Sequence, residues 1–489
     1  MTATAGTDAF AEQTRALQQL LVQSIDALAT GGEGLGEKAA ELRDMIDRPP
    51  RVAVIGRLKS GKSTLVNALT ETDIAATGSL ECTMAVSIYE QGAPARAEIH
   101  GSDGRVDTVA LAGRPLEHLG RPLDEVDYIR QFVPVSRLDA LGVIDTPGTA
   151  TLTVENEQRT RSILVEGSRD TRRASAWADC VVFLSDSAPR ADERELLTEL
   201  NMTPLTTVGV ISRADSFGAG AFGTRDPIDH AGEYAGRIAD LLGGTVSTVM
   251  PLSGLLAESA LTGRVNEDTA RALRPLAGLT RDQLIDAVEL PDPSGVVPGL
   301  TAASRDNLLD TLGEYGVYYG RTVAAESGSV GLMHWMLQVS GIERLSTAIS
   351  GEMAHFAVLQ RAVRFVETLD SLAGRPEFRE HVRWVQSILL SQPVMNTVLL
   401  YRSFRDTVAG TPDSQLIPRL RHALQGRTAP EKLGLDPGTG EGEFLTELRS
   451  SLELLRQLAM APLSSAEDDA RERLIVLYQA LWTTSTNVQ

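Results

Sequence analysis

The feature that most constrains this chain is a glycine-rich loop that directly follows a short apolar stretch. Residues 51–56 read RVAVIG, the composition of a buried strand, and residues 56–64 continue as GRLKSGKST. In the pattern G-x-x-x-x-G-K-[ST], backbone N–H groups face phosphate oxygens, Lys62 reaches the β- and γ-phosphates, and the Ser63 hydroxyl ligates Mg²⁺. The residues predicted to hold a nucleotide here are Gly56, Arg57, Leu58, Lys59, Ser60, Gly61, Lys62, Ser63 and Thr64.

A second motif follows another apolar stretch, ALGVID at residues 140–145. Asp145 ends this stretch and begins the sequence DTPG. A carboxylate at the end of a strand beside a phosphate-binding loop can hold Mg²⁺ through a water molecule, and the Gly148 N–H can then sense the γ-phosphate. In combination with the first motif, DTPG is typical of GTPases rather than of general ATPases.

Two further motifs are predicted to bind the base of the nucleotide. The stretch TTVGVIS at residues 206–212 leads into SRAD, at the place where GTPases have [NT]-K-x-D. Asp215 can accept hydrogen bonds from guanine N1–H and N2–H₂, a pair of donors that adenine lacks. Ser212 and Arg213 depart from the pattern, but an arginine stem can pack over the base as lysine does. Ser253 and Gly254 are predicted to support guanine O6 through a backbone N–H.

A threonine between the first two motifs is expected to complete the site. Thr83 lies in GSLECTMAV and immediately precedes a predicted strand, and Thr77 is the alternative. When a γ-phosphate is present, such a threonine gives its hydroxyl to Mg²⁺ and its backbone to the attacking water. Thr83 is therefore predicted to be a catalytic residue and a metal ligand, together with Ser63 and Asp145 as metal ligands.

Strands and helices alternate through the first half of the chain, which predicts an α/β domain with a mainly parallel, doubly wound sheet. After about residue 255 the sequence has only helical patterns. We expect a G domain over residues 50–350 with a helical insertion near 258–340. Helices in residues 1–49 and 351–489 are expected to form one all-α bundle. The predicted strands lie at residues 51–56, 84–90, 95–101, 128–133, 140–145, 179–185, 206–212 and 246–251.

Composition excludes several classes of protein. The 46 basic and 65 acidic residues give a net charge of −19, whereas nucleic-acid binders need a basic surface. Cys82 and Cys180 are too few for a zinc site or a disulfide framework. The chain begins without a signal-peptide pattern and has no apolar stretch of 18 residues, so a cytoplasmic protein is expected.

The motifs, followed by a long helical part, resemble the dynamin superfamily and its bacterial members in particular. The resemblance implies a GTPase head joined to a helical neck or stalk, with GTP or GDP and Mg²⁺ as ligands. It also implies head-to-head dimerisation across the nucleotide, membrane remodelling and a paralogous dynamin-like partner. The stretches that carry it are VIGRLKSGKSTLVNAL (54–69), IDTPGT (144–149), ISRADSFGAG (211–220), PLSGLLA (251–257), SGIERLSTAI (340–349) and KLGLDP (432–437).

The phosphate-binding loop departs from most dynamins at two positions. Lys59 stands where a small polar residue usually helps to coordinate a monovalent cation, and Leu58 stands where a polar residue such as Gln or Glu is usual. The chain has 42 arginines and only four lysines, so a lysine indicates a position where arginine cannot serve. We expect the Lys59 ammonium to replace the cation and to act in catalysis beside Lys62.

The stretch VQSILLSQPVMNTVLLY at residues 385–401 is uncharged and interrupted by Pro393. One interpretation is a lipid-contacting stalk tip, which would place the protein peripherally at the inner face of the plasma membrane. The other is a buried helix–turn–helix corner, with any lipid contact made by a longer partner. The side chains expected to contact lipid under the first interpretation are Ile388, Leu389, Leu390, Val394 and Met395.

Two other functions compete with a dynamin-like GTPase. A GTPase of ribosome or tRNA assembly would need a basic RNA-binding region, which the acidic composition disfavours. A hydrolysis-poor GTP-binding scaffold that controls the assembly of a partner is supported by Leu58 and by Thr149, which follows DTPG where small GTPases have a water-positioning glutamine.

Overall fold

The computed structural model describes residues 3–57, 59–75, 85–111, 115–116, 118–146, 178–190, 193–194, 197 and 202–486. Within these residues one nine-stranded sheet has the order β4-β3-β5-β2-β6-β1-β7-β8-β9. Its strands are β1 (Arg51–Gly56), β2 (Ser87–Gln91), β3 (Arg96–Gly101), β4 (Val106–Ala110), β5 (Val126–Val133), β6 (Gly142–Asp145), β7 (Cys180–Ser185), β8 (Thr207–Ile211) and β9 (Val249–Pro251).

The sheet has a parallel half and a mixed half. Strands β6, β1, β7, β8 and β9 run parallel to one another, whereas β2 is antiparallel to β6, and β3 is antiparallel to both β4 and β5. The predicted α/β class is confirmed. Strand β4 was not predicted, because all five of its residues are exposed at the sheet edge and no buried alternation marks them.

Helices cover both faces of the parallel half. Val52 and Val54 of β1 face one apolar cluster, and Ala53 and Ile55 face another, as the alternation of side chains along a strand requires. Among the described residues between the phosphate-binding loop and residue 348, the α-helices are α3 (Lys62–Thr70), α4 (Pro227–Leu242), α5 (Gly254–Leu261), α6 (Glu267–Leu273), α7 (Arg281–Glu289), α8 (Ala302–Ser340) and α9 (Ile342–Ala348).

Helices from the two ends of the chain share one apolar core. Leu21 and Leu42 from the first two helices are buried with Leu369, Phe404 and Leu474 from the later ones. A π-helical turn, Ile349–Met353, connects α9 to this bundle. The bundle helices are α1 (Ala3–Ala29), α2 (Glu33–Asp47), α10 (Ala354–Ala373), α11 (Arg379–Leu390), α12 (Met395–Gly410), α13 (Leu416–Gln425), α14 (Glu441–Leu458) and α15 (Ser465–Thr486).

A buried charge cluster joins the sheet to the bundle. Asp179, just before β7, is fully buried and accepts hydrogen bonds from Arg48 (3.0 Å), Arg361 (2.7 Å) and Arg364 (3.3 Å). Its Oδ2 also accepts from the Arg51 backbone N–H at 2.9 Å. Burial alone would raise the pKa of Asp179, but the guanidinium groups hold it well below its usual value. We call these four side chains of Arg48, Asp179, Arg361 and Arg364 the arginine–aspartate cluster.

The arginine–aspartate cluster also binds backbone at the junction. Arg361 donates to the carbonyl oxygens of Arg48 and Pro49, each at 2.6 Å, and Arg364 donates to the carbonyl of Ala178 at 2.7 Å. Helix α10 is thereby fixed to the segments that enter β1 and β7. Both strands run from this cluster toward the opposite end of the sheet.

The segment predicted to contact lipid lies along α1 rather than at its end. His381 contacts the Ala27 carbonyl at 2.9 Å, and the Thr397 hydroxyl accepts a hydrogen bond from Gln13. Ala27 and Gln13 lie about 20 Å apart along α1, because a helix rises 1.5 Å per residue. Residues between these two anchors therefore run beside α1.

Two of the five side chains predicted to contact lipid cannot do so. Leu389 and Met395 are fully buried in the bundle core, so their assignment to a lipid surface is wrong. Val394 is half-buried, and only Ile388 and Leu390 are exposed, at 43% and 42%. No helix in the described part of the chain is long and apolar enough to cross a membrane.

Candidate functional site

The phosphate-binding loop connects the end of β1 to the start of α3. Gly61 caps α3 with a φ of 92°, a left-handed conformation that glycine adopts without strain, and Lys59 has a φ of 62°. A helix start after a turn of this kind presents backbone N–H groups and a positive dipole end to an anion. Leu58 lies outside the described residues.

Lys62 begins α3 and is largely buried. Its ammonium donates to the Arg57 carbonyl at 2.8 Å, so it lies folded over the loop. Burial lowers the pKa of Lys62, and the nearby Asp145 carboxylate opposes this effect. The arrangement places a buried positive charge at the position where the motif requires one for phosphate.

Ser63 and Asp145 meet beside the loop. The β1–β6 register pairs Val54 with Asp145, and the Ser63 hydroxyl donates to Asp145 Oδ2 at 3.3 Å. Burial raises the pKa of Asp145 to about 6, with Lys62 and the Ser63 hydrogen bond acting in the opposite direction. Asp145 Oδ1 is buried without a hydrogen-bond partner among the described residues. A hydroxyl beside a carboxylate with an open oxygen fits Mg²⁺, which prefers oxygen ligands.

The residues predicted for the base lie across a cavity from the phosphate-binding loop. This cavity has a volume of about 290 Å³, and Gly61 and Thr64 line one side while Ser212 and Asp215 line the other. The Asp215 carboxylate forms no hydrogen bond within the described residues. The fold therefore places the phosphate-binding loop and the residues predicted to bind the base around one cavity.

Arg213 links the two sides of this cavity. It has a φ of 54°, and its Nη2 donates to the Lys59 carbonyl at 2.7 Å. The arginine head therefore holds the phosphate-binding loop, while its stem remains beside the cavity that Arg213 lines.

Ser253 and Gly254 occupy different positions. The fully buried Ser253 side chain accepts from the Leu256 N–H and caps α5, so it is engaged in the helix start. Gly254 lines the cavity, and a Cβ at this position would lie 3.3 Å from Thr64 Cγ2. The Ser253 backbone N–H, predicted to support guanine O6, donates to the Ser340 carbonyl at 2.9 Å, so that role is wrong for Ser253. Ser253 instead supports the wall of the cavity that Gly254 faces.

Sequence reasoning missed the contacts of Arg57 beyond the loop. Its guanidinium pairs with the nearly fully buried Glu193 at 2.5 Å and donates to Ser187 Oγ at 3.1 Å. Nothing near Glu193 in the sequence indicates this pair. The contact ties the phosphate-binding loop to the segment after β7.

Several predicted residues lie outside the described part of the chain. They are Leu58, Thr77, Thr83, Gly148 and Thr149.

Comparison with known proteins identifies the domain. Residues 52–214, which include the phosphate-binding loop, Asp145 and all but the last residue of SRAD, match the sequence model of the Dynamin family. These residues form a dynamin-family domain. The prediction of a dynamin-like GTPase head is confirmed as a family match for these residues.

Two curated relatives match the chain that carries this dynamin-family domain. Both are named isoniazid-induced protein IniC, from the CDC 1551 / Oshkosh and the ATCC 25618 / H37Rv strains of Mycobacterium tuberculosis. Each is 35% identical over 231 residues, which cover 45% of this chain and 45% of the relative. The match thus spans less than half the length of these relatives.

Two solved structures also align with the chain, both described as an oligomerised bacterial dynamin pair that provides a mechanism for long-range sensing and tethering of membranes. They are each 14% identical, with TM-scores of 0.33 and 0.36. The alignments cover 97% and 100% of this chain, and 75% and 76% of the other.

Proposed function

We propose that this chain is a dynamin-like GTPase that hydrolyses GTP to GDP and phosphate. The observation that carries the proposal is that the phosphate-binding loop and Asp215 line the same cavity. Ser63 and Asp145 lie together beside that loop. The placement of a phosphate-binding loop and a carboxylate for the base around one cavity favours a guanine nucleotide. The dynamin-family domain supports the same assignment.

Hydrolysis by water at this site depends on positioning and charge. Lys62 would leave the Arg57 carbonyl for the phosphates, and Ser63 and Asp145 would hold Mg²⁺, Asp145 through a water molecule. Bound Mg²⁺ would neutralise the negative charge that the β- and γ-phosphates share. Thr83 remains the residue predicted to complete the metal site and to orient the attacking water.

Lys59 supplies a second positive charge in this mechanism. Its carbonyl accepts a hydrogen bond from Arg213, and its side chain is exposed. If its ammonium replaces a monovalent cation, GTP turnover in a sodium- and potassium-free buffer should equal turnover in 100 mM KCl at matched ionic strength. A requirement for K⁺ or Na⁺ would contradict this role. Lys59→Ser is expected to create such a requirement.

Membrane coupling is the finer part of the proposal. G domains would dimerise across the nucleotide. The bundle formed by residues 1–49 and 351–489 would transmit this dimerisation to the inner face of the plasma membrane. Exposed Ile388 and Leu390 are the remaining candidates for direct lipid contact. A paralogous dynamin-like partner would contact lipid if this chain does not.

A hydrolysis-poor scaffold is the alternative function. Leu58 cannot position a water molecule, and Thr149 stands where small GTPases have glutamine. Such a subunit would bind GTP and control the assembly of a partner, which could itself restore hydrolysis.

The deciding experiment measures GTP turnover per molecule over a wide range of protein concentration, with ATP as the control. We expect turnover to rise with concentration and to be selective for GTP, because dimerisation would supply the missing water-positioning group. Low turnover that stays flat would favour the scaffold. Anionic vesicles added to the same assay should raise turnover if this chain itself binds lipid, and leave it unchanged if a partner does so.

A further inference from the structure

Helix α8 is interrupted next to the cavity that holds Asp215. Its residue Gly313 has φ 64° and ψ 175°, a combination that is essentially restricted to glycine. A Cβ on Gly313 would lie 3.7 Å from Asp215 Oδ2 and 3.2 Å from Leu255 Cδ2. Asp215 and Leu255 both line the cavity. The interrupted helix therefore passes directly behind the cavity wall that carries Asp215.

The break is held in place from both sides. Non-helical backbone leaves carbonyl groups of the preceding turn without helical partners. The buried Ser259 of α5 donates to the Thr311 carbonyl, which lies in this turn, at 2.6 Å. On the other side, the Tyr315 hydroxyl donates to Asp226 Oδ2 at 3.1 Å, and Asp226 caps α4.

These anchors lie on the elements that frame the base. Helix α5 begins at Gly254 on the cavity wall, and the segment from Asp215 to Asp226 leads from the base-binding turn to α4. A shift of the break would therefore move both Leu255 and the turn that carries Asp215. The Asp215 carboxylate forms no hydrogen bond within the described residues, so packing against α8 limits where it can go.

We propose that Gly313 is a positioning residue for base recognition, which it achieves by letting α8 break behind Asp215. This inference rests on the proposed binding of a guanine nucleotide. Alanine cannot adopt the Gly313 conformation without strain, so Gly313→Ala would make the helix straighten or shift. The carboxylate of Asp215 would then lose its alignment with the N1–H and N2–H₂ donors of guanine, while the phosphate-binding loop stays intact.

The same helix offers a matched control. Gly328 has φ 65° and ψ −160°, and a Cβ there would lie 3.0 Å from Glu267 Oε1 of α6. Gly328→Ala introduces comparable backbone strain into α8, but Gly328 does not line the base cavity. Ser259→Ala removes one anchor of the Gly313 break without adding backbone strain.

The experiment is an equilibrium titration of the full chain with GDP, IDP and ADP in the presence of Mg²⁺. IDP lacks the 2-amino group, so the GDP-to-IDP affinity ratio reports the Asp215 contact. A hydrogen bond to a charged group corresponds to a ratio of roughly tenfold or more in the unmodified chain. We expect this ratio to approach one in Gly313→Ala, to fall less in Ser259→Ala, and to be unchanged in Gly328→Ala.

Two results would overturn the role of Gly313. One is a GDP-to-IDP ratio that is unchanged in Gly313→Ala, even if all affinities fall together. The other is an equal fall of the ratio in Gly328→Ala, which would indicate a general effect of strain in α8. If the unmodified chain itself binds GDP no better than ADP, the proposed guanine site fails instead, independently of Gly313.

Discussion

Asp179→Ala is expected to lower the free energy of unfolding by about 4 kcal/mol, the effect typical of removing one partner from a buried ion pair. The reason is that Arg48, Arg361 and Arg364 would keep their buried guanidinium groups but lose the carboxylate that all three share. Urea denaturation followed by circular dichroism measures the change. The arginine–aspartate cluster lies at the opposite end of β1 from the nucleotide site.

Asp370→Ala is the matched control for this measurement. Asp370 pairs with Arg402 at 3.3 Å, but 48% of its side chain is exposed, so its loss should cost only about 0.2–1 kcal/mol. Equal destabilisation by the two variants would contradict the importance assigned to the buried cluster.

Lys62→Ala is expected to reduce GTP turnover by roughly 100-fold or more, the effect of removing a preorganised charge from a site of charge development. The ammonium is buried, and its one hydrogen bond within the described residues goes to the Arg57 carbonyl. The loss should therefore appear in nucleotide binding and turnover rather than in folding. Turnover and thermal unfolding of the same preparation separate these effects.

Lys38→Ala is the control for Lys62→Ala, because Lys38 is one of the four lysines and pairs with Glu41 on the surface of α2. Its turnover should equal that of the unmodified chain. If Lys62→Ala also retained full turnover, the nucleotide chemistry would have to occur elsewhere.

Most of the sheet could be predicted from sequence because its strands are short apolar runs, such as residues 51–56 and 180–185, that are buried on both faces. Strand β4 lacks this signal because its side chains are all exposed. Lipid contact was predicted wrongly for part of residues 385–401 for a related reason. An uncharged segment has the same composition whether it faces lipid or a protein core, and only the packing beside α1 distinguishes the two for Leu389 and Met395.

The candidate site was predictable where short continuous motifs specify it. Lys62, Ser63 and Asp145 occupy motif positions, and the fold places them together. Glu193 and Gly313 belong to no motif, and their roles arise from distant segments that meet only in three dimensions. The division of the chain at residues 50 and 350, and the role of Thr83, stay predictions.

The shared core of α1 and α10–α15 has a consequence for how the chain is made. Gln13 and Thr397 form a hydrogen bond across 384 residues of sequence, and Thr14 contacts His355 across 341. During synthesis, the apolar face of α1 leaves the ribosome long before its partners in α10–α15 exist. Since exposed apolar surface promotes aggregation, α1 has a surface that needs protection until the later bundle helices have been translated.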